Sequence, residues 1–156
     1  MNQQYADTNE LNDFALLQDF NKKLKIKELG RTPDKSSTDA SGYTKDDQYV
    51  NIELKRRFVD VGKYKTIIIE GHKYLSLLKG FVYSNKIPLY INFMNDGYII
   101  VFNLSKLKEE PNERKYKIWS ELYQGFEISS RFELSINDAW IYKKQNDKYI
   151  LIQKGW

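Results

Sequence analysis

The segment Tyr49-Val-Asn-Ile-Glu-Leu-Lys55 decides how the fold of this chain is interpreted. Its valine, isoleucine and leucine alternate with polar residues, which gives the segment one apolar face and one polar face. This period of two predicts a β-strand. Glu53 and Lys55 then point to the same face, about 7 Å apart along the strand, so an acid and an amine share the polar surface.

The elements before this strand are predicted from spacing and turn residues. Apolar residues at helical spacing predict a helix over residues 9–27, which ends ahead of Gly30. A short strand is predicted over 37–41, and residues 44–48 form the hairpin turn that leads into the strand at 49–55.

The β-branched run at 65–70 predicts a central strand that is buried on both faces. A helix follows over 71–84. Further strands are predicted at 87–94, 98–102, 115–119, 131–136, 139–144 and 148–153, with hairpin turns at 95–97 and 145–147 and a charged loop at 109–114. The expected fold class is therefore α/β (α+β), a mixed central sheet flanked by helices, with a β-rich C-terminal extension from about residue 104.

Composition limits the classes of function. The 156 residues suit one domain, with a core over about 9–103 and an extension over about 104–156. There is no cysteine and only one histidine, which excludes disulfides, thiolate metal sites and multi-histidine zinc sites. No apolar run reaches the ~18 residues of a membrane span, and the N-terminus carries no signal peptide pattern, so we expect a cytoplasmic protein without membrane contact. The net charge of +4 permits nucleic-acid binding without requiring it.

The polar face of the strand at 49–55 carries the candidate chemistry. Asp39, on the preceding strand, is expected across the hairpin from Glu53. Two carboxylates on neighbouring strands can hold Mg²⁺ or Mn²⁺, and the carbonyl of Leu54 can add a third oxygen ligand. Lys55 would then position the attacking water or stabilise charge on a phosphate, while the metal lowers the pKa of its water.

These residues resemble a known family. Asp39 followed by Glu53-Leu54-Lys55, in the predicted order of elements, is similar to the PD-(D/E)XK nuclease superfamily, over residues 9–103. The family has an αβββαβ core, with the acid on the second core strand and E-x-K on the third. The segments 37–43, 52–57 and 67–73 resemble its small phage-borne members.

The resemblance implies a restriction-endonuclease-like core and a magnesium-dependent nuclease that hydrolyses phosphodiester bonds in DNA. Asp39 and Glu53 would be metal ligands and Lys55 the catalytic lysine. It also implies a bacterial or phage-infected cell as the setting, and a homodimer as a plausible assembly. The alternative function is a catalytically inactive nuclease-fold protein that binds nucleic acid or a protein partner; a further one is an interaction protein without a metal site.

Alternatives also stand for individual residues. Glu53 and Lys55 would face solvent if their strand lay at a sheet edge. A second E-x-K triplet, Glu113-Arg-Lys115, is assigned to the charged loop and not to a strand. Asp34, after Pro33, competes with Asp39 but lies in a loop-like segment. Glu10 is more typical of a first-turn helix acid than of a site residue.

Several other residues are candidates near the strand. Glu70 and His72 are candidates for an extended site, although Glu70 also suits a helix N-terminus. Trp119 and Trp140 are expected in the core or an interface. The basic residues that could contact a phosphate backbone, or could form an ordinary solvated charge run, are Arg56, Arg57, Lys63, Lys65 and Lys73.

Overall fold

The computed structural model describes residues 3–33 and 36–156, with the side chains of the first helix from Leu11 onward. In chain order the elements are α1 Gln3–Leu24, β1 Lys27–Arg31, β2 Ala40–Tyr43, β3 Tyr49–Arg56, β4 Thr66–Glu70, α2 Gly71–Ser84, β5 Ile87–Phe93, β6 Tyr98–Asn103, β7 Asn112–Ser120, β8 Gly125–Ser135, β9 Trp140–Gln145 and β10 Lys148–Gln153. Within the described residues, neither helix is long and apolar enough to cross a membrane.

The strands form two sheets. The main sheet has seven strands in the order β1-β2-β3-β5-β6-β9-β10. Its neighbours pair antiparallel except β3 and β5, which are parallel because α2 carries the chain back between them. The predicted mixed central sheet is thereby confirmed. A second sheet of three antiparallel strands has the order β4-β8-β7.

Each face of the main sheet has its own core. On one face α1 packs Leu17 and Phe20 against the apolar side chains of β3, Ile52 among them. On the other face Tyr74 and Leu77 of α2 pack with β4, β8 and the central strands. The polar face of β3 therefore lies on the side that α2 and the second sheet cover, which is what makes a buried polar site there.

The first helix ends earlier than the sequence predicts. It stops at Leu24 instead of residue 27, and residues 27–31 form strand β1. The Asn21 side chain donates to the Ile26 carbonyl at 2.9 Å and accepts from the Ile26 N–H at 2.8 Å. Lys25 takes a left-handed conformation with φ 57°. Because the asparagine replaces the helical hydrogen bonds, the chain leaves the helix and enters the sheet.

The strand predicted from the β-branched run at 65–70 was wrongly expected in the centre of the main sheet. It is β4, an edge strand of the second sheet that pairs only with β8 among the described strands. Ile67 and Ile69 are buried in the core beneath α2, whereas Ile68 is half-buried and faces the opposite way. The β-branched run therefore does not reflect burial of both strand faces. Ile67 and Ile69 pack in the core, whereas Ile68 lines a cavity on the opposite face.

The C-terminal region is part of both sheets and not simply an addition to them. Strands β9 and β10 extend the main sheet beyond β6, whereas β7 and β8 build the second sheet on β4. The charged loop expected at 109–114 is partly strand, since β7 begins at Asn112. Trp119, expected in the core or an interface, is 50% exposed near the end of the β7–β8 hairpin and belongs to neither core.

Candidate active site

Glu53 is a buried acid in the middle of the main sheet. Strand β3 lies between β2 and β5, so the alternative of a solvated edge strand does not hold. Its side chain faces α2 and the second sheet, and the residue is only 2% exposed. A carboxylate at such a position is costly unless a cation, a metal ion or a proton compensates its charge.

Lys73 supplies one such cation. It lies in the first turn of α2, and its Nζ donates to Glu53 Oε1 in a close ion pair. The pKa of Glu53 is raised from 4.5 to about 7: burial is the largest cause, the negative charge of Asp39 acts in the same direction, and the contact with Lys73 offsets only part of the rise. Burial tends to lower the pKa of Lys73, but its contact with Glu53 outweighs this and the pKa lies above its usual range.

The start of α2 is positioned by a glycine. A Cβ atom on Gly71 would lie 2.8 Å from the Ser130 carbonyl oxygen of β8, closer than real contacts of this kind. Only glycine lets the helix begin this near the second sheet. This close approach brings Lys73 over β3, so the ion pair depends on how the two sheets meet.

Asp39 lies immediately before β2, at the level of Glu53. Strand register pairs Ala40 with Ile52, and the Asp39 N–H donates to the Ile52 carbonyl at 2.9 Å. The Asp39 carboxylate in turn accepts the Leu54 N–H at Oδ2, 2.8 Å away. The strand predicted at 37–41 is therefore shifted to Ala40–Tyr43, but the expected neighbourhood of Asp39 and Glu53 is present.

Leu54 and Lys55 complete the triplet. In an extended residue the carbonyl points to the same strand edge as the N–H, so the Leu54 carbonyl faces the edge on which Asp39 lies. Lys55 is exposed, points to the same face as Glu53 and pairs in register with Asn92 of β5. An acid, an amine and a carbonyl oxygen thus surround one region at the start of β2.

A cavity of about 170 Å³ lies beside Glu53, although Asp39 and Leu54 are not among the residues that line it. Glu53, Lys55 and Lys73 line it from β3 and α2, and Glu70 lines it from the end of β4. Glu70 is the N-cap residue of α2 but makes no side-chain capping hydrogen bond. Glu70, which the sequence makes a candidate for an extended site, thus lines the same cavity as Glu53, although β4 belongs to the second sheet.

No family model, curated protein or solved structure matches this chain. The site must therefore be interpreted from its own geometry and from the sequence pattern.

Four polar residues of the cavity, namely Arg57, Lys73, Tyr90 and Arg131, were not predicted as site residues or were predicted in another role. Arg57, expected at a nucleic-acid surface, donates to Asn92 Oδ1 at 3.0 Å, to the Tyr90 hydroxyl at 2.8 Å and to the Ile68 carbonyl. It thus ties β3 to β5 and to the second sheet. Burial raises the pKa of Tyr90 to about 12, so its hydroxyl stays protonated. Arg131 lines the same cavity from β8.

Other predicted site residues lie apart from the cavity. His72 is 76% exposed, with Nε2 3.6 Å from a Glu70 carboxylate oxygen, and it does not line the cavity. Lys63 is exposed in the β3–β4 connection. Arg56 pairs with Asp13 of α1, with Nη2 2.8 Å from Oδ1. Asp34 and the side chain of Glu10 lie outside the described residues.

The missed residues had no local sequence signal. Arg131 reaches the cavity only because β8 pairs with β4, with Arg131 opposite Glu70. Lys73 was predicted as a residue that contacts a phosphate backbone or belongs to a solvated basic run, because nothing in its neighbourhood indicated a buried acid. One feature of the sequence did indicate the α2 side of the cavity: Glu70 ends a predicted strand and is followed directly by a predicted helix.

Proposed function

We propose that this protein is a metal-dependent nuclease that hydrolyses phosphodiester bonds of DNA. The observation that carries the proposal is the cavity that the buried Glu53 lines together with Glu70, Lys55, Arg57 and Arg131. A buried acid next to positioned amines, in a cleft with surplus cations, suits chemistry on an anionic phosphate.

The order of elements supports the proposal. Strands β1, β2 and β3 form an antiparallel meander after α1, and α2 then leads to β5, which is parallel to β3. Apart from β4, which precedes α2 and belongs to the second sheet, this follows the αβββαβ order of the PD-(D/E)XK nucleases. Asp39 directly precedes the second of these strands and Glu53-Leu-Lys55 lies on the third. From the sequence, the strand at 65–70 was counted as one of the three core strands. In the structure β1, which was not predicted, is one of the three instead.

The oxygen atoms fit a hard divalent cation such as Mg²⁺ or Mn²⁺. Asp39, Glu53 and the Leu54 carbonyl would hold it, and Mg²⁺ commonly keeps several waters when few protein ligands are present. Among the described residues no group of three or more acidic or histidine side chains forms a ready metal site, so waters would complete the coordination. When bound, the ion would polarise the phosphate and acidify a water.

The remaining groups have roles that follow from their charge. Lys55, exposed at the cavity mouth, positions the attacking water and stabilises charge on the phosphate. Arg131 and Arg57 bring positive charge to the same cavity, where a phosphate oxygen can accept hydrogen bonds. Glu53 must lose its proton before it binds a cation, and its raised pKa makes that step sensitive to pH near neutrality.

A second candidate function is nucleic-acid binding without cleavage. The observation that favours it is the Lys73–Glu53 ion pair, in which an ammonium group already balances the buried carboxylate. In that case the cavity would be a cationic binding site with an internal counter-ion and would need no metal.

The experiment that separates the two candidates is calorimetry with Mg²⁺ and Mn²⁺, followed by cleavage assays on single-stranded, duplex and branched DNA. The parent is compared with the double variant Asp39→Ala, Glu53→Ala and with Asp46→Ala, an exposed acid in the β2–β3 turn. Metal binding and metal-dependent cutting by the parent and by Asp46→Ala, lost in the double variant, support the nuclease. DNA binding without metal binding at millimolar concentrations supports the second candidate.

A further inference from the structure

The cavity that holds Glu53 adjoins a larger groove. A second cavity of about 410 Å³ shares Arg57 and Ile68 with it, so the two meet at these side chains. We call the second cavity the β3–β4 groove; Arg56, Arg57, Phe58, Tyr64, Ile68 and Glu133 are among the residues that line it. The groove therefore starts where the proposed catalytic cavity ends.

Two aromatic side chains stand exposed in this groove. Phe58 is 82% exposed and Tyr64 is 56% exposed, both on the connection between β3 and β4. Neither ring belongs to either hydrophobic core. Large rings that folding leaves in water, directly beside a polar cavity, indicate a surface that is covered by a ligand.

The connection that carries these rings is held in place by the β5–β6 turn. The Asn95 N–H donates to the Val59 carbonyl at 3.1 Å, and the Val61 N–H donates to Asp96 Oδ2 at 3.1 Å. The backbone between Phe58 and Tyr64 is thus fixed at two points. A ligand that stacks on the rings pays little ordering entropy for the segment itself.

The charges around the groove suit a phosphate backbone. Arg57 lies at its junction with the catalytic cavity and makes no ion pair among the described residues. The wall contains Arg56 and one described acid, Glu133, whose charges are balanced within the protein by Asp13 and Arg114, so Arg57 supplies the uncompensated charge. A cationic groove with exposed rings is the usual means of binding a nucleic-acid strand whose bases are unpaired.

We propose that the β3–β4 groove binds unpaired bases of single-stranded DNA, stacked on Phe58 and Tyr64, while the adjoining phosphate enters the cavity of Glu53. The proposal rests on the proposed function and specifies its substrate as a strand with unpaired bases next to the cleaved bond. Bases within a duplex are already stacked on each other and present no free face to these rings.

The test measures binding of a fluorescent oligodeoxythymidine in EDTA, so that no cleavage interferes. Phe58→Ser and Tyr64→Ser should each weaken binding about tenfold, as is typical for loss of one stacked base. Phe126→Ser and Tyr83→Ser are matched controls, because both residues are similarly exposed but lie on β8 and α2, away from the groove. The controls should bind as the parent does.

A second probe tests stacking itself. An oligodeoxynucleotide that lacks bases at consecutive positions should bind the parent and Tyr64→Ser equally weakly, whereas a purely electrostatic contact would leave the parent unaffected by base removal. Unchanged binding by both groove variants, tighter binding of duplex than of single strand, or a loss confined to Phe126→Ser would overturn the inference.

The inference and the proposed function can fail separately. If the parent cuts DNA with metal while the groove variants bind oligodeoxythymidine normally, the nuclease stands and the groove assignment is wrong. If the parent binds single strands through Phe58 and Tyr64 but never cuts, the groove assignment stands and the catalytic proposal is wrong. A parent that binds no single-stranded DNA refutes the groove assignment.

Discussion

The chain contains one acid-x-lysine triplet at Glu53–Lys55 and another at Glu113–Lys115, and both lie on strands. Glu53 is buried on an interior strand beneath α2. Glu113 is exposed on β7, the outer strand of the second sheet, where it accepts a hydrogen bond from Ser130 Oγ at 2.7 Å. The acid-x-lysine spacing on a strand ensures only that the acid and the lysine point to the same face. Whether the acid is buried depends on the helices and strands that pack on that face.

The largest expected difference is in the DNA cleavage rate, when Glu53 and Glu113 are each changed to glutamine. Glu53→Gln should lower the rate of metal-dependent DNA cleavage by about a thousandfold or more, because a lost metal ligand exceeds the 10–100-fold cost of losing a group that only orients one. Glu113→Gln should stay within about twofold of the parent, as expected for an exposed residue outside the site. Initial rates on a fluorescent DNA substrate decide this, and equal losses in the two variants would contradict the site assignment.

The two lysines provide the next comparison. Lys55→Met should lower the cleavage rate by about a hundredfold, at the low end of the range for a group positioned at the reacting atoms. Metal binding measured by calorimetry should remain, since Lys55 is not a metal ligand. Lys115→Met should change neither quantity. If Lys55→Met also abolished metal binding, the lysine would have a structural role instead of a catalytic one.

Local patterns were sufficient for much of this architecture. The alternation in β3 and the hairpin turn before it correctly brought Asp39, directly before β2, next to Glu53, and the helical spacing of α2 was correct at both ends. These features depend on residues close in sequence. The end of α1 was missed because the Asn21 side chain, and not a glycine or proline, terminates the helix.

The second sheet was beyond sequence reasoning. The β-branched residues of β4 are compatible with a central strand, and only the long-range pairing of β4 with β8 makes it an edge. That pairing also brings Arg131 to Glu70 and makes the second sheet a cover over β3. The roles of Arg57, Arg131 and Lys73 depend on this cover, which is why a pattern around Glu53 could not predict them.

The Lys73–Glu53 ion pair, which the sequence did not predict, can be tested by measuring the free energy of unfolding. Lys73→Met leaves Glu53 without its cation and should cost roughly 1 kcal/mol of unfolding free energy at pH 8, because a carboxyl group with a pKa of about 7 can take up a proton there at the cost of about one pKa unit. At pH 5 the cost should be much smaller, since Glu53 is then protonated and carries no unpaired charge. Urea unfolding at both pH values measures this.

The control for this variant is Lys79→Met, on an exposed position of the same helix. It should change stability by less than about 0.5 kcal/mol at either pH. A Lys73→Met protein that is equally destabilised at pH 5 and pH 8 would show that lost packing, and not the unpaired carboxylate, causes the effect.

The smallest expected effect concerns Asp39 and the titration of Glu53. The folded-state pKa of Glu53 is about 7, above the 4.5 of an exposed glutamate, so the folded protein holds an extra proton between these values. The contribution of Glu53 to stability is therefore greatest below about pH 4.5 and falls as the pH rises to about 7. Because the negative charge of Asp39 is part of the cause, Asp39→Asn should move the pKa of Glu53 back toward 4.5.

The substitution isolates charge, because an asparagine oxygen can still accept the Leu54 N–H. Its effect on stability near pH 7 should be no more than about 1 kcal/mol, less than one pKa unit is worth. Carbon-13 NMR of the Glu53 carboxyl, assigned with Glu53→Gln, measures the shift directly, and Asp46→Asn should leave the titration unchanged. If Asp39→Asn left the Glu53 titration unchanged, burial alone would set this pKa, and the two carboxylates would be too weakly coupled to share a cation.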